Sequence, residues 1–326
     1  DYTQIGSSGD YTQIGSSGYN TQIGASGDYT QIGASGYNTQ IGASGDYTQI
    51  GSSGDYTQIG SSGDNTQIGS SGDNTQIGAS GDNTQIGASG YGTQIGASGD
   101  YTQIEINGNN TIAFASGYKS IIKAKKGTWI SLAEYGRNTK NNNNMIPIYA
   151  KSAQIGNKEF KDFKGKTLKE DTYYILWDKE FYPVIKIDKI LTIELEKKKR
   201  ENITIIKAIN LDDIYVKNKE DIETIYIAKE GKLAAHGYTV REAIEDLTYK
   251  KLDNIDIDKI IEEIKKTGKV TRSQYRAITG ACQYGTNKFC EQHNIQELEE
   301  IDLEELRKIL KDDYGAEKFW KLIDEE

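Results

Sequence analysis

The sequence predicts a mainly β protein. It comprises an N-terminal two-sided parallel β-solenoid of about 18 residues per coil, two nonapeptides each, then a β-rich cap and an α+β and helical C-terminal domain. Three observations predict it. Residues 1–108 are twelve copies of one nine-residue unit, DYTQIGSSG with small variations, and a fixed period marks a structural unit stacked on copies of itself. The departures from Asp at the first position of the unit fall only in odd-numbered copies. From residue 118 the repeat gives way to short alternating strands, and beyond 255 to apolar residues spaced i, i+3, i+4.

Within the unit, position 3 is always Thr, position 4 always Gln and position 5 always Ile; position 7 is Ser or Ala in eleven copies, and Gly closes every copy. Tyr-Thr-Gln-Ile is β-prone, and the following Gly-Ser/Ala-Ser-Gly reads as a turn that needs glycine freedom. Strand alternation puts Thr and Ile on one face and Tyr or Asn with Gln on the other. Ile is expected inside, as the only consistently apolar residue, with roughly 1.5–3 kcal/mol gained per buried side chain. A disordered Gly/Ser linker would not hold Ile and Gln at fixed offsets. The thirteenth copy, NNTIAFASG at 109–117, turns apolar, as expected of a terminal repeat covered by a folded domain.

The exceptions set the coil. Position 1 is Asp except at Tyr19, Tyr37, Tyr91 and Asn109, all in odd copies. Two copies per coil then leave an unbroken column on the even side, Asp10, Asp28, Asp46, Asp64, Asp82 and Asp100, flanked by Tyr11, Tyr29, Tyr47 and Tyr101. At about 4.8 Å per stacked strand the thirteen copies make a rod on the order of 30 Å long. Residues 1–108 hold nine Asp, one Glu and no Lys or Arg; the chain carries −9, so the remainder sums to +1. An acidic rod is joined to a neutral body. Asp is a good turn residue after Gly, yet a regular anionic ladder also presents itself to a basic partner.

The 326 residues leave room for two or three domains, expected at 1–117, 118–189 and 190–326. No run of eighteen apolar residues exists, so no membrane span is expected. The chain opens inside the repeat without Met, so residues ahead of Asp1 are compatible with it. Two cysteines are too few for a disulfide framework, and a cytoplasmic location, in a host cell, is the expectation.

Cap strands are expected in SIIKAKK, TWISLAEY, MIPIYAK, DTYYILWD and EFYPVIKI, with the Asn-rich segment 138–144 as a surface connection and Trp129 and Trp177 in the cap core. They serve to cover the open strand edges of a solenoid end. Next come strands in ILTIELE, NITIIKAI, DIYVKN and TIYIAKEGKLAAHG, the EKKKR run at 196–200 being a solvated hairpin end. A helix follows with a capping box, Thr239 and Glu242, and a second box at Thr271 and Gln274 opens a later helix. The remaining helices are expected in IDIDKIIEEIKK, TNKFCEQH, DLEELRKILKDD and AEKFWKLIDEE.

The stretches AHGYTVREAIEDLTYK at 235–250 and VTRSQYRAITGACQYGTNKFCEQHNI at 270–295 resemble the C-terminal part of uncharacterised phage and prophage proteins. In those, Gly-rich repeats likewise run into segments like GTWISLAEYG and IYAKSAQIG. The resemblance covers roughly 118–326 and, in style, the repeat. It implies a phage-accessory setting and no catalytic residue.

Chemistry-bearing constellations are few. Cys282, Cys290, His293 and His236 are the possible soft-metal ligands, but Cys-x7-Cys-x2-His matches no standard zinc spacing, and Cys282 is expected beside Ile278 on an apolar helix face. A Cys290–His293 nucleophile pair lacks an orienting group and an oxyanion site. The repeat is no calcium nonapeptide, and no glycine loop opens a helix with Lys-Ser/Thr. Neither cofactor nor metal nor catalytic residue is expected.

The favoured reading is a non-enzymatic, phage-accessory interaction protein. Its even side, Asp10 to Asp100 with Tyr11, Tyr29, Tyr47 and Tyr101, would bind a host macromolecule, a basic nucleic-acid-handling protein, with no direct nucleic-acid binding by the repeat. The alternatives are a fibre component self-associating through Tyr19, Tyr37 and Tyr91, and an enzyme within 190–326.

Overall fold

Every nonapeptide forms one strand, and every strand pairs in parallel with the strand two copies on. The series opens with β1 (Thr3–Ser7), β2 (Gln13–Ser16), β3 (Thr21–Ala25) and β4 (Gln31–Ala34), and reaches β12 (Gln103–Ile106) and β13 (Ile112–Ala115). Ile5 lies opposite Ile23 in β1–β3, and Ile14 opposite Ile32 in β2–β4. The register step is two copies throughout, so odd copies build one flat face and even copies the other. These relations come from a computed structural model that describes residues 2–137, 144–187, 190–216, 222–250, 257–311 and 313–324. It divides into two compact units, Asp1–Val184 and Ile185–Glu326.

The rod interior is built from positions 3, 5 and 7. Central isoleucines such as Ile50 and Ile59 are 3% exposed and the central threonines 0%, so both point inward. Each buried Thr hydroxyl of the nonapeptides is satisfied locally: Thr30 Oγ1 donates to the Gly27 carbonyl at 2.7 Å, and Thr84 to Gly81 at 2.7 Å. Where position 7 is Ser, its hydroxyl reaches the Thr of the next copy, as in Ser52 to Thr57 at 3.1 Å. Ala fills the same volume without the bond, and this accounts for the Ser/Ala exchange.

The turn is not where glycine content suggested. Strands run through Gly6 and its equivalents into position 7, so the Gly-Ser/Ala-Ser-Gly segment is half strand. The bend falls at positions 8, 9, 1 and 2, and the left-handed residue is position 2, at φ 55° for Tyr11, 52° for Asn20 and 69° for Gly92. The closing glycine serves close approach: a Cβ on Gly54 would lie under 3 Å from the Gly36 backbone one coil below.

Parallel stacking continues past Gly117. β14 (Ile121–Ala124) adds to β12 with Ile122 opposite Ile104, and β15 (Trp129–Arg137) adds to β13 with Ile130 opposite Ala113. The antiparallel strands follow: β16 (Met145–Gln154) on β15, β17 (Tyr173–Trp177) on β14, and β18 (Glu180–Ile187) on β17. Leu168, Tyr174, Leu176 and Phe181 join the same buried cluster as the isoleucine column and close the rod's end. Two expectations are corrected here. The two large apolar residues of the thirteenth copy are not covered, because Ile112 and Phe114 occupy the outward positions 4 and 6 and are 55% and 42% exposed, while Ala113 and Ala115 point inward and are buried. Trp129 is likewise outward on β15, packing edge-on against Phe160 at 5.2 Å.

The second unit carries an antiparallel sheet of β19 (Ile190–Arg200) and β20 (Ile203–Asn210), then α1 (Asp213–Val216), then β21 (Thr224–Glu230) and β22 (Leu233–Gly237). DIYVKN is therefore a helical turn as far as Val216, and its last residues lie outside the described ones, as do residues 138–143 of the Asn-rich segment. The EKKKR run is exposed at the β19–β20 hairpin end. Helices α2 (Val240–Tyr249) and α3 (Ile257–Thr267), strand β23 (Lys269–Thr271), helices α4 (Arg272–Thr279) and α5 (Gln283–Gln292), strand β24 (Glu300–Asp302), and helices α6 (Leu303–Ile309) and α7 (Ala316–Asp324) complete it. Thr271 and Gln274 form the reciprocal capping box of α4. At α2, Thr239 accepts the Glu242 amide at 3.1 Å, but the Glu242 carboxylate accepts from the Tyr238 amide, one residue earlier than expected. No described helix is long and apolar enough to cross a membrane.

Candidate interaction surfaces of the repeat

The solenoid has two edges, made by the turns, and two faces, made by the outward positions 4, 6 and 8. On the even edge the six aspartates form one column, and each bonds the next. Asp10 Oδ1 accepts the Asp28 main-chain N–H at 2.9 Å, and the pattern repeats to Asp100, whose Oδ1 accepts the Tyr118 N–H at 2.7 Å. In return the Tyr11 amide donates to the Asp28 carbonyl at 2.9 Å, tying each turn to its neighbour twice. Asp10, Asp28, Asp64 and Asp82 are exposed, while Asp46 and Asp100 are half-buried. Burial pushes the Asp100 carboxyl above the usual range, helped by the Asp82 charge and opposed by the bond from Tyr118.

The tyrosines named with this column divide. Tyr11, Tyr29 and Tyr47 stack in one continuous pile, centroids 4.9 Å apart and planes within 4°. Asn65 and Asn83 then interrupt it. Tyr101 stands apart, meeting Tyr118 edge-on at 5.7 Å under the Lys119 ammonium at 5.2 Å from its ring. A tyrosine at positive φ is strained by roughly 1–2 kcal/mol relative to glycine, and ring stacking offsets about 0.5–1.5 kcal/mol. Stacking thus offsets part of the strain in the Tyr11–Tyr29–Tyr47 run.

The odd edge differs. Tyr19 and Tyr37 sit 6.1 Å apart, and Tyr37 meets Tyr56 at 5.1 Å. Among the described residues only the Asp55–Asp73–Tyr91 stretch keeps the carboxylate ladder, at 2.8 and 2.7 Å. The turn conformation is nevertheless the same on both edges, with Asn20, Asn38 and Tyr56 at φ 52–55°.

The faces carry a surface that sequence reasoning passed over. Position 6 is Gly in eleven copies, yet none of those positions is left-handed, and an added Cβ would meet nothing nearer than 3.9 Å. Each such glycine costs roughly 0.5–1 kcal/mol in a strand interior, with no folding requirement behind it. The result is a furrow along each face beside a ladder of glutamines, in which Gln4 Nε2 bonds Gln22 Oε1 at 3.0 Å. The period-two alternation already placed position 6 outward.

Of the four possible soft-metal ligands, the second unit brings Cys282 and His236 into contact. Cys282 is the N-cap of α5, its sulfur accepting the Gly285 amide at 3.3 Å. It therefore lies beyond α4, off the helix face shared with Ile278. Its Sγ also lies 3.6 Å from His236 Nδ1. Burial, with a smaller effect from Lys250, pushes the His236 pKa down to about 3, so the ring is neutral. Its Nε2 is buried without a hydrogen-bond partner. Cys290 is buried too, and burial raises its thiol pKa against the pull of Arg272; His293 packs on Phe289 at 4.6 Å. Buried thiols of this kind are unreactive toward solutes, and among the described residues no group of three or more His, Cys, Asp or Glu side chains could hold a metal.

The geometry thus concentrates repeated, outward, chemically regular groups on the rod. Comparison with protein-family models, with curated proteins and with solved structures gives no match to this chain.

Proposed function

We propose that the chain is a non-enzymatic interaction protein of phage-accessory type, whose even edge engages a basic macromolecule, in particular a host protein that normally grips the phosphate backbone of nucleic acid. One observation carries this reading. The odd edge makes the same turn with Tyr19, Tyr37, Tyr91 or Asn109 at position 1, so an all-Asp even edge exceeds what the turn needs. Six carboxylates in register give a line of negative charge, and proteins that bind nucleic acid supply Lys and Arg to such a line. Contacts of this kind are screened beyond a Debye length of about 8 Å at physiological ionic strength.

The test uses the full chain as bait in host lysate, beside a variant with Asp28, Asp46, Asp64 and Asp82 changed to Asn. The proposal expects a basic protein retained by the wild type, released by added salt and absent from the variant. Equal capture by both baits at physiological salt rejects the even edge as the contact surface.

A further inference from the structure

We propose that the odd face of the rod is a second interaction surface, and that its occupant is the odd face of another copy of this chain. It uses residues distinct from the even-edge aspartates and is tested apart from them.

The two faces are not equivalent. On the even face the outward column ends in charge, with Lys123 Nζ 2.6 Å from Glu105 Oε1 and the Tyr173 hydroxyl donating to Glu105 at 3.1 Å. On the odd face the outward positions carry no charge from Gln4 to Ala133. Its glycine furrow runs the length of the rod and ends at Ile112, Phe114 and Trp129, which stand 55%, 42% and 41% exposed. These side chains replace Gln and Gly of the repeat on the outward side, while the inward Ile becomes Ala113. A contiguous apolar group of this kind, with only Trp129 partly screened by Phe160, marks a contact surface.

The surface is suited to itself. It holds both projections (the apolar end and the Gln ladder) and a Cβ-free furrow to receive them, as an isologous twofold interface requires. Its strand ladder, about 4.8 Å per step, is matched by a surface with the same step. Five residues at about 3.3 Å along each of eight strands at about 4.8 Å give about 600 Å² per copy, or about 1,200 Å² for the pair. That reaches the lower bound of specific protein interfaces. Charge does not forbid the contact, because the eight aspartates of the repeat among the described residues all stand at turn positions and none is buried by it. Two chains of net charge −9 still repel at long range, so added salt tightens this contact, opposite to its effect on an Asp-driven one.

Sedimentation velocity of the full chain over a micromolar concentration series, at low and high salt, is the test. The expected result is a monomer–dimer equilibrium that shifts toward dimer with salt. Two matched variants locate the contact. Gly42→Lys with Gly60→Lys places charge on the odd face, and Gly51→Lys with Gly69→Lys places it on the even face; all four sites have room for a Cβ. With both variants melting alike, only the odd-face pair should lose the dimer. A wild-type chain that stays monomeric across the series, or dimer loss in both variants or in neither, overturns the proposal. The Asp-to-Asn variant keeps its dimer whatever happens to its partner binding, so the two readings fail independently.

Discussion

Asp46 Oδ1 accepts the main-chain N–H of Asp64, one coil further along the rod, at 2.8 Å. The carboxylate therefore works in the scaffold as well as facing solvent, and the two roles separate by choice of substitution. Asn keeps an Oδ1 acceptor and removes the charge; Ala removes both. Changing Asp28, Asp46, Asp64 and Asp82 to Asn should leave the melting temperature unchanged or raised, since neighbouring like charges repel by roughly 1 kcal/mol per pair in water. The corresponding Ala variant should lose about 0.5–1.5 kcal/mol per bond. Thermal unfolding of the two side by side checks this, and equal melting would remove the ladder from the account.

Glycines of the repeat should divide into two classes. Gly54→Ala drives a Cβ into the Gly36 backbone under 3 Å away and should destabilise the rod measurably. Gly51→Ala meets only the Ile32 carbonyl at 3.9 Å, and should be neutral or stabilising by up to about 1 kcal/mol. Denaturant midpoints of the two variants decide it; equal loss in both would contradict the assignment of the furrow glycines as free of any folding role.

The isoleucine column should fail locally when charged. Ile50 is 3% exposed between Ile32 and Ile68, and Ile50→Asp buries an unpaired carboxylate at a cost of several kcal/mol. Hydrogen exchange should report opened amides in the coils around residue 50 first, with the β16–β18 region still protected.

His236 gives the second unit an acid limit. Its folded pKa of about 3 lies below the ordinary 6.5, so protons bind the unfolded chain more readily. Its contribution to stability is complete above pH 6.5 and is lost as pH falls from 6.5 toward 3, by a few kcal/mol in all. All described helices lie in the second unit, so ellipticity at the helical band follows that unit alone. His236→Gln should flatten the slope of its urea midpoint across that window, and an unchanged slope would assign the acid sensitivity to carboxylates.

The coil was legible because three signals agreed: the nine-residue period, the fixed Ile, and exceptions confined to odd copies. Turn position is not legible because positions 6 and 9 are both Gly in sequence, while Gly24 is an outward strand residue and Gly27 a point of backbone contact. The exchange of Tyr, Asn and Gly at position 2 was the available clue to a left-handed site. In the second unit, α1 is one turn long, too short for a periodic signal. The Cys282–His236 contact joins residues 46 apart in sequence, and no spacing rule predicts a pair brought together by β22 and the α5 N-terminus. The aspartate column is legible directly, whereas the packing of Tyr101 against Tyr118 and Lys119 depends on how the chain folds back beyond the repeat.

The edges, faces and columns of the rod all depend on a coil of two copies, and disulfide trapping tests that most directly. Gln49 and Gln67 are register partners on adjacent parallel strands, at a Cα separation near 4.8 Å that a disulfide spans. The account predicts that the pair Gln49→Cys with Gln67→Cys oxidises within the monomer, while Gln49→Cys with Gln58→Cys, on opposite faces, and Gln49→Cys with Gln76→Cys do not. Ready trapping of the 49–76 pair with none at 49–67 would mean three copies per coil, and would contradict the edges and faces on which the rest is built.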